Sequence, residues 1–141
     1  MDNHCDGVYL YLTAKAEGNE PLARRIWEFL AMNGGNRSGI AFGEVDPEGN
    51  VHPDQFTQHH TFGNVRARKF SEIWQDTTHP ILAGLKDRKP LLRGRCAACR
   101  FLNVCNGNFR TRAEARTGDF WASDPACYLT DEEIGVGGDG Q

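Results

Sequence analysis

The feature that most constrains this chain is a set of four cysteines, Cys96, Cys99, Cys105 and Cys127, with the spacing C-x2-C-x5-C-x21-C. The stretch RCAACRFLNVCNGNFR holds three of them within ten positions, and the fourth returns from farther along. A C-x2-C turn aims two thiolates at one centre, because the backbone between them curls and its amides can hydrogen-bond the sulfurs. A third ligand can come from the same loop, whereas the fourth must be delivered by the fold. Four thiolates so arranged suit a 4Fe-4S cluster, and they also suit tetrahedral zinc. A zinc ribbon usually shows two C-x2-C knuckles and this chain has one, so the spacing favours iron.

The 141 residues allow one domain with its own core, or a small domain with a piece of another. No apolar run reaches the length of a membrane span, and MDNHCDGVYLYL lacks the basic region and cleavage site of a secretory signal. The expected compartment is the cytoplasm, where thiols stay reduced and clustered cysteines point to metal or redox chemistry.

The net charge of -3 conceals an internal division. Arg93, Arg95, Arg100, Arg110, Arg112 and Arg116 accompany the cysteines with one acid, Glu114, among them. From Gly118 onward Asp119, Asp124, Asp131, Glu132, Glu133 and Asp139 face no basic residue. Arginine beside a thiolate cluster offsets its negative charge and tunes its potential. A solvated helix face is the competing reading for Arg112 and Arg116. A local basic run in an acidic chain does not predict nucleic-acid binding.

Along the chain, DGVYLYL reads as a strand and NEPLARRIWEFLAMNGG as a helix entered through Pro21 and stopped at Gly34-Gly35. In that helix Leu22, Ile26, Phe29 and Leu30 share a face. A β-hairpin is expected in GIAFGEVDPEGNVHPDQF around the DPEGN turn, with a further extended piece at TFGNVR. Short helices follow at SEIWQD, capped by Ser71, and at HPILAGLKDR, entered through Pro80. An arginine-bearing helix over 110–116 ends at Gly118, and Thr130 caps a turn carrying Glu132 and Glu133.

Other chemistry-bearing residues receive ordinary assignments. Cys5 is expected to be a buried thiol and not a ligand. His52, His59 and His60 are read as polar loop residues, since neighbouring histidines on an extended segment point different ways. Trp27, Trp74 and Trp121 are expected in the core. No Ser/His/Asp triad or phosphate loop is present, and no catalytic residue is assigned.

The stretches GNVHPDQFTQHHTFGNVRARKFSEIWQD and GRCAACRFLNVCNGNFRTRAEARTGDFWASDPACYLTDEEIG resemble the C-terminal SPASM/twitch region of radical S-adenosylmethionine enzymes. Within that superfamily they resemble the proteins of haem d1 and alternative haem biosynthesis. The resemblance implies an auxiliary 4Fe-4S cluster on Cys96, Cys99, Cys105 and Cys127. SPASM proteins with two auxiliary clusters carry further cysteines where this chain has Phe109 and Asp54, so one cluster is expected. The C-x3-C-x2-C motif that begins radical chemistry in the superfamily is absent from these residues.

The fold implied is α+β: a small SPASM-like domain of β-hairpin, short helices and cysteine-rich loop over 39–134. Before it comes a terminal β/α unit of a partial radical SAM barrel at 1–38, and after it a disordered tail at 135–141. The implied partners are the missing barrel, in cis or in trans, a tetrapyrrole substrate and an electron donor. No nucleic acid and no membrane are expected. S-adenosylmethionine and a second 4Fe-4S cluster belong to the full-length enzyme alone, so the chain is not expected to act by itself. Arg110 and its neighbours are candidates for meeting substrate carboxylates. The alternative function is a zinc-stabilised, non-enzymatic interaction module.

Overall fold

The computed structural model describes residues 3–137. Two compact units emerge, one built from Met1–Asn36 with Lys89–Gln141 and the other from Arg37–Arg88. The chain crosses between them after Asn36 and again after Arg88. Residues 89–137 group with the N-terminal helices.

The first unit begins with α1 (His4–Ala16) and α2 (Glu20–Asn33). The strand expected over DGVYLYL is therefore helical. That segment is apolar without alternation, so its period could not separate strand from helix. A helix satisfies its own backbone donors, whereas a strand there would need a partner. Cys5 and Val8 of α1 enter the core with Leu30 of α2, and Leu12 packs at its edge. Asn19 caps α2 by accepting the Leu22 N–H at 3.2 Å, and Gly34 ends it in left-handed geometry, as the sequence leads one to expect. Of the apolar face expected on α2, Leu30 is buried and Ile26 half-buried, while Leu22 and Phe29 lie exposed.

The rest of this unit comprises α5 (Gly94–Ala98), α6 (Leu102–Cys105), α7 (Arg110–Thr117) and α8 (Asp131–Ile134). Phe101, Val104, Leu129 and Ile134 complete the core, and Val136 packs against it. Residues 138–141 of the expected tail lie outside the described residues. Gly118 closes α7, and Thr130 with Glu133 forms a reciprocal capping box on α8, both as expected. Trp27 departs from expectation: it is 38% exposed, with its ring beside Tyr11 at 5.2 Å and Phe101 at 6.3 Å. Trp121 is half-buried and meets Phe120 edge-on.

The second unit contains a three-stranded antiparallel sheet, β1 (Glu44–Val45), β2 (Asn50–His52) and β3 (Gly63–Asn64), in that spatial order. The helices α3 (Phe70–Gln75) and α4 (Pro80–Lys86) follow. The hairpin falls where DPEGN places it, with Glu44 opposite His52 and Val45 opposite Val51. Asp46 ties the turn by accepting the Asn50 N–H at 2.7 Å and the Asn50 side-chain amide at 2.8 Å. Val51, Ile73, Leu82 and Leu85 are fully buried. Pro80 opens α4 as expected, but Ser71 lies inside α3, whose cap position is Lys69. Trp74 is half-buried and stacks on Phe70.

Two tests follow. The Asn50 hydrogen bond, and behind it the His52 ring, pull Asp46 from 3.8 down to about 2. A depressed carboxylate contributes stability above its unfolded value and loses it as pH falls through its folded value. Hairpin amides of the native protein should therefore lose hydrogen-exchange protection between about pH 4 and pH 2, a transition that Asp46→Asn should remove. In the first unit, Gly35 has a φ of 77°, and a Cβ there would lie 2.2 Å from the Cys105 carbonyl oxygen, whereas Gly18, also left-handed, has open space. Gly35→Ala should lower stability in denaturant titrations by at least about 2 kcal/mol, against about 1 kcal/mol for Gly18→Ala.

Candidate metal centre

Cys96, Cys99, Cys105 and Cys127 line a single cavity in the first unit. Cys96 sits in α5, Cys99 caps that helix, Cys105 closes α6, and Cys127 lies in the irregular segment before α8. All four thiols are free. The fifth cysteine, Cys5 of α1, reaches the same cavity at 2% exposure. The expectation of a buried thiol holds for it, but its place beside the other four was not legible, because nothing in its local sequence marks it.

The local backbone explains why the loop holds its shape. Asn106, Gly107 and Asn108 are all in left-handed geometry, so the chain reverses sharply after Cys105. The Asn106 side chain donates to the Asn36 carbonyl at 2.8 Å, and the Asn36 N–H donates back to the Cys105 carbonyl at 3.2 Å. Asn108, 1% exposed, gives its side-chain NH2 to Asn3 at 2.6 Å and receives the His4 N–H at 3.4 Å. The asparagines of NGN thus fasten the N-terminus of α1 and the end of α2 to the cysteine loop.

Cys127 is positioned by an ion pair. Asp124, 2% exposed, accepts two bonds from Arg112, from Nη2 at 2.6 Å and from Nε at 3.1 Å. It also accepts the Ala126 N–H at 3.0 Å, while its carbonyl accepts the Cys127 N–H at 3.2 Å. The bidentate fork anchors the return segment to α7. Arg95 anchors it from the other side, donating to Asp131 at 2.6 Å and to the Cys127 and Leu129 carbonyls. With Arg93 on Asp119 at 2.9 Å, three arginines of the basic segment pair with three acids of the acidic one. The charge division in the sequence is closed within the fold.

Arg110 is the clearest departure from expectation. It is 3% exposed, and its guanidinium donates to the carbonyls of Gly107, Phe120 and Ala122, the last at 2.5 Å. A group so enclosed does not reach a substrate carboxylate. Burial pulls its pKa down, and the nearby Cys96, Asp124 and Cys105 pull it up. Because a guanidinium stays charged, its burial calls for compensating negative charge, which thiolates supply. Arg116 is exposed, in keeping with a solvated face.

The sulfurs sit among donors. The Phe101 N–H lies 3.3 Å from Cys99 Sγ, and Ser123 Oγ accepts the Cys96 N–H at 3.2 Å. Burial pushes the Cys105 thiol up to about 12 and raises Cys99 as well. The neighbouring Cys5 thiol, and behind it the Leu129 N–H and Arg95, pull Cys127 down. Metal binding at such a site displaces protons from the buried thiols, and the thiolates formed face Arg110 and Arg95. The donor set and its positive surroundings fit an anionic, thiolate-held centre.

The positions that would serve a second cluster have other work. Asp54 is buried and locks its own loop, accepting the Thr57 hydroxyl at 2.7 Å and the Phe56 N–H at 2.9 Å. Phe109 lies under the Arg112 guanidinium, 5.1 Å from its ring centre. His52 is buried between the Asp46 carboxylate and the His60 carbonyl, which makes it a structural residue of the second unit. His59 and His60 do not diverge as expected. Their loop is bent, and the rings lie 4.4 Å apart.

Comparison with known proteins finds an iron-sulfur domain over part of the chain, including Cys96 and Cys99. Residues 42–100 match the SPASM family, an iron-sulfur cluster-binding domain. That segment is therefore similar to a SPASM domain, and over most of its length the chain is similar to enzymes named for haem synthesis. It is 58% identical over 138 residues to the Fe-coproporphyrin III synthase of Methanosarcina barkeri, covering 96% of this chain and 34% of that protein. It is 43% identical to the pre-heme d1 synthase of Dinoroseobacter shibae, over 98% of this chain and 34% of the relative. The AdoMet-dependent heme synthase of Methanosarcina barkeri is 34% identical over 81% of this chain and 31% of its own length. The chain thus spans about a third of the curated relatives it matches. No solved structure gives a significant match. Among the described residues, no helix is long and apolar enough to cross a membrane.

Replacing Arg110 by Gln tests its reassignment. Orphaning buried carbonyls should cost at least about 2 kcal/mol in chemical denaturation, whereas an exposed substrate ligand would change stability by no more than about 0.5 kcal/mol.

Proposed function

We propose that Cys96, Cys99, Cys105 and Cys127 hold one auxiliary 4Fe-4S cluster, serving a radical enzyme whose remaining parts lie outside these residues. The observation that carries this reading is the convergence of four cysteines, spread over 32 positions of sequence, on one cavity that Arg95 also lines.

When bound, such a cluster supplies one-electron transfer. Four cysteine ligands leave no iron open to substrate, so electron transfer or structural support fits better than direct substrate ligation. The chain's own residues hold the ligands in place: Arg112 and Asp124 set Cys127, the NGN reversal sets Cys105, and Arg110 and Arg95 offset the negative charge. By their names the relatives make haem, Fe-coproporphyrin III or pre-heme d1, and the corresponding proposal here is a tetrapyrrole substrate for the complete enzyme. S-adenosylmethionine and the cluster that binds it belong to the barrel that completes the enzyme. The exposed Leu22, Phe29 and Met32 of α2 offer apolar surface for that partner. By itself the chain does not cleave S-adenosylmethionine.

Anaerobic preparation followed by iron, sulfide and zinc analysis tests the reading. This cluster should account for about four irons and four sulfides per chain with a brown chromophore, and Cys127→Ser should remove most of that iron. One zinc per chain without colour would establish the zinc-stabilised module instead.

A further inference from the structure

Trp27, 38% exposed, lines a groove of about 330 Å³ formed by α1, α2 and the cysteine loop. Tyr11 and Phe101 line it too, with ring centres 5.2 and 6.3 Å from that of the indole. A smaller depression of about 170 Å³ adjoins it across Tyr11, Lys15 and Trp27. Three cationic side chains, Lys15, Arg24 and Arg100, line the pair against one carboxylate, Glu20, which Lys15 holds at 2.7 Å. Glu17 and Glu28 of the same helical hairpin line neither depression. The exposed Arg100 guanidinium lies over the Phe101 ring, 4.9 Å from its centre. This face differs from the one that carries Leu22 and Phe29. By helical periodicity the buried stripe of Ala23 and Leu30 separates the two, with Trp27 and Arg24 on its other flank. The groove also reaches toward the metal centre: Phe101 is buried behind it, and the Phe101 N–H lies 3.3 Å from Cys99 Sγ.

We propose that this groove is where a small acidic electron-transfer protein docks to reduce the cluster. The proposal rests on the cluster assignment made above. Redox encounters use small, weakly held interfaces, which a groove of this size with a few charges at its rim suits. The aromatic rings supply contact area, and the cationic rim selects an acidic partner and speeds its approach. The place of the groove beside Cys99 favours a redox protein over a small anion. A flavoprotein donor seated against Trp27 would have the Phe101 residue between itself and the ligand cysteine. The step is a one-electron transfer. The donor's anionic flavin hydroquinone becomes the neutral semiquinone, the oxidised cluster gains the electron, and no proton moves and no bond is made or broken.

The test mixes reduced flavodoxin, a small acidic flavoprotein, with the full-length protein reconstituted anaerobically, and follows by rapid freezing the EPR signal that Cys127→Ser removes. Raising salt from about 0.05 M to about 0.3 M should slow the reduction about fivefold or more. Arg24→Glu and Arg100→Glu, both at exposed positions, should each slow it about threefold or more at low salt, and together about tenfold. Reduction by the methyl viologen radical, a small cation, should not slow in any variant, and iron per chain should match wild type. Equal slowing with both reductants would overturn the proposal, because the substitutions would then act on the cluster itself, and loss of iron would do the same. A flavodoxin rate unmoved by salt and by the substitutions would also overturn it, and is the result expected if another part of the enzyme or a small anion fills the groove. So would failure of flavodoxin to reduce a wild-type cluster that methyl viologen reduces. Absence of iron from the wild-type protein would instead remove the cluster assignment on which the proposal stands.

Discussion

The return of Cys127 to the cysteine loop is the constraint on which the first unit depends. Twenty-one residues separate it from Cys105, and the intervening chain has to form α7, turn, and come back at the right height. The buried pairing of Asp124 with Arg112 carries out that closure, with Arg95 gripping the carbonyls on the far side of Cys127. Such a pair is costly to break, because one partner would be left charged and buried. The ion pair is better understood as a device for register than as a source of stability.

The same economy governs the arginines. A basic run next to an acidic run could mark an interaction tail, but here three of the arginines find acids within the unit. Arg110 finds none within bonding distance, and its charge lies against the thiol site. Arg110 thus differs from the three paired arginines in having carbonyls as its bonding partners. Without the fold, all six arginines look alike.

Much of the local structure could be read in advance because its signals are local. Pro21 and Pro80 open helices by their fixed φ, Gly34 and Gly118 close them, and Thr130 with Glu133 forms a self-contained cap. The DPEGN hairpin needs only Asp46 and Asn50 to form its turn. Failures came where the deciding partner was distant. The DGVYLYL segment is helical because Cys5 and Val8 meet Leu30, Phe101 and Val104 on one face. Trp27 lies at the rim of the buried face of α2, beside Tyr11 and Phe101, where the core ends.

The sequence by itself determined the chemistry available: four thiols in a spacing suited to one metal centre. It could do so because ligand type and short-range spacing are covalent properties of the chain. Only the tertiary structure decided that Arg110 is buried at the site, that NGN fastens the helices to the loop, and that Cys5 is a fifth thiol on the cavity. Those outcomes depend on contacts between segments up to about a hundred residues apart, whose closure is set by the packing of a whole core and not by any short-range pattern.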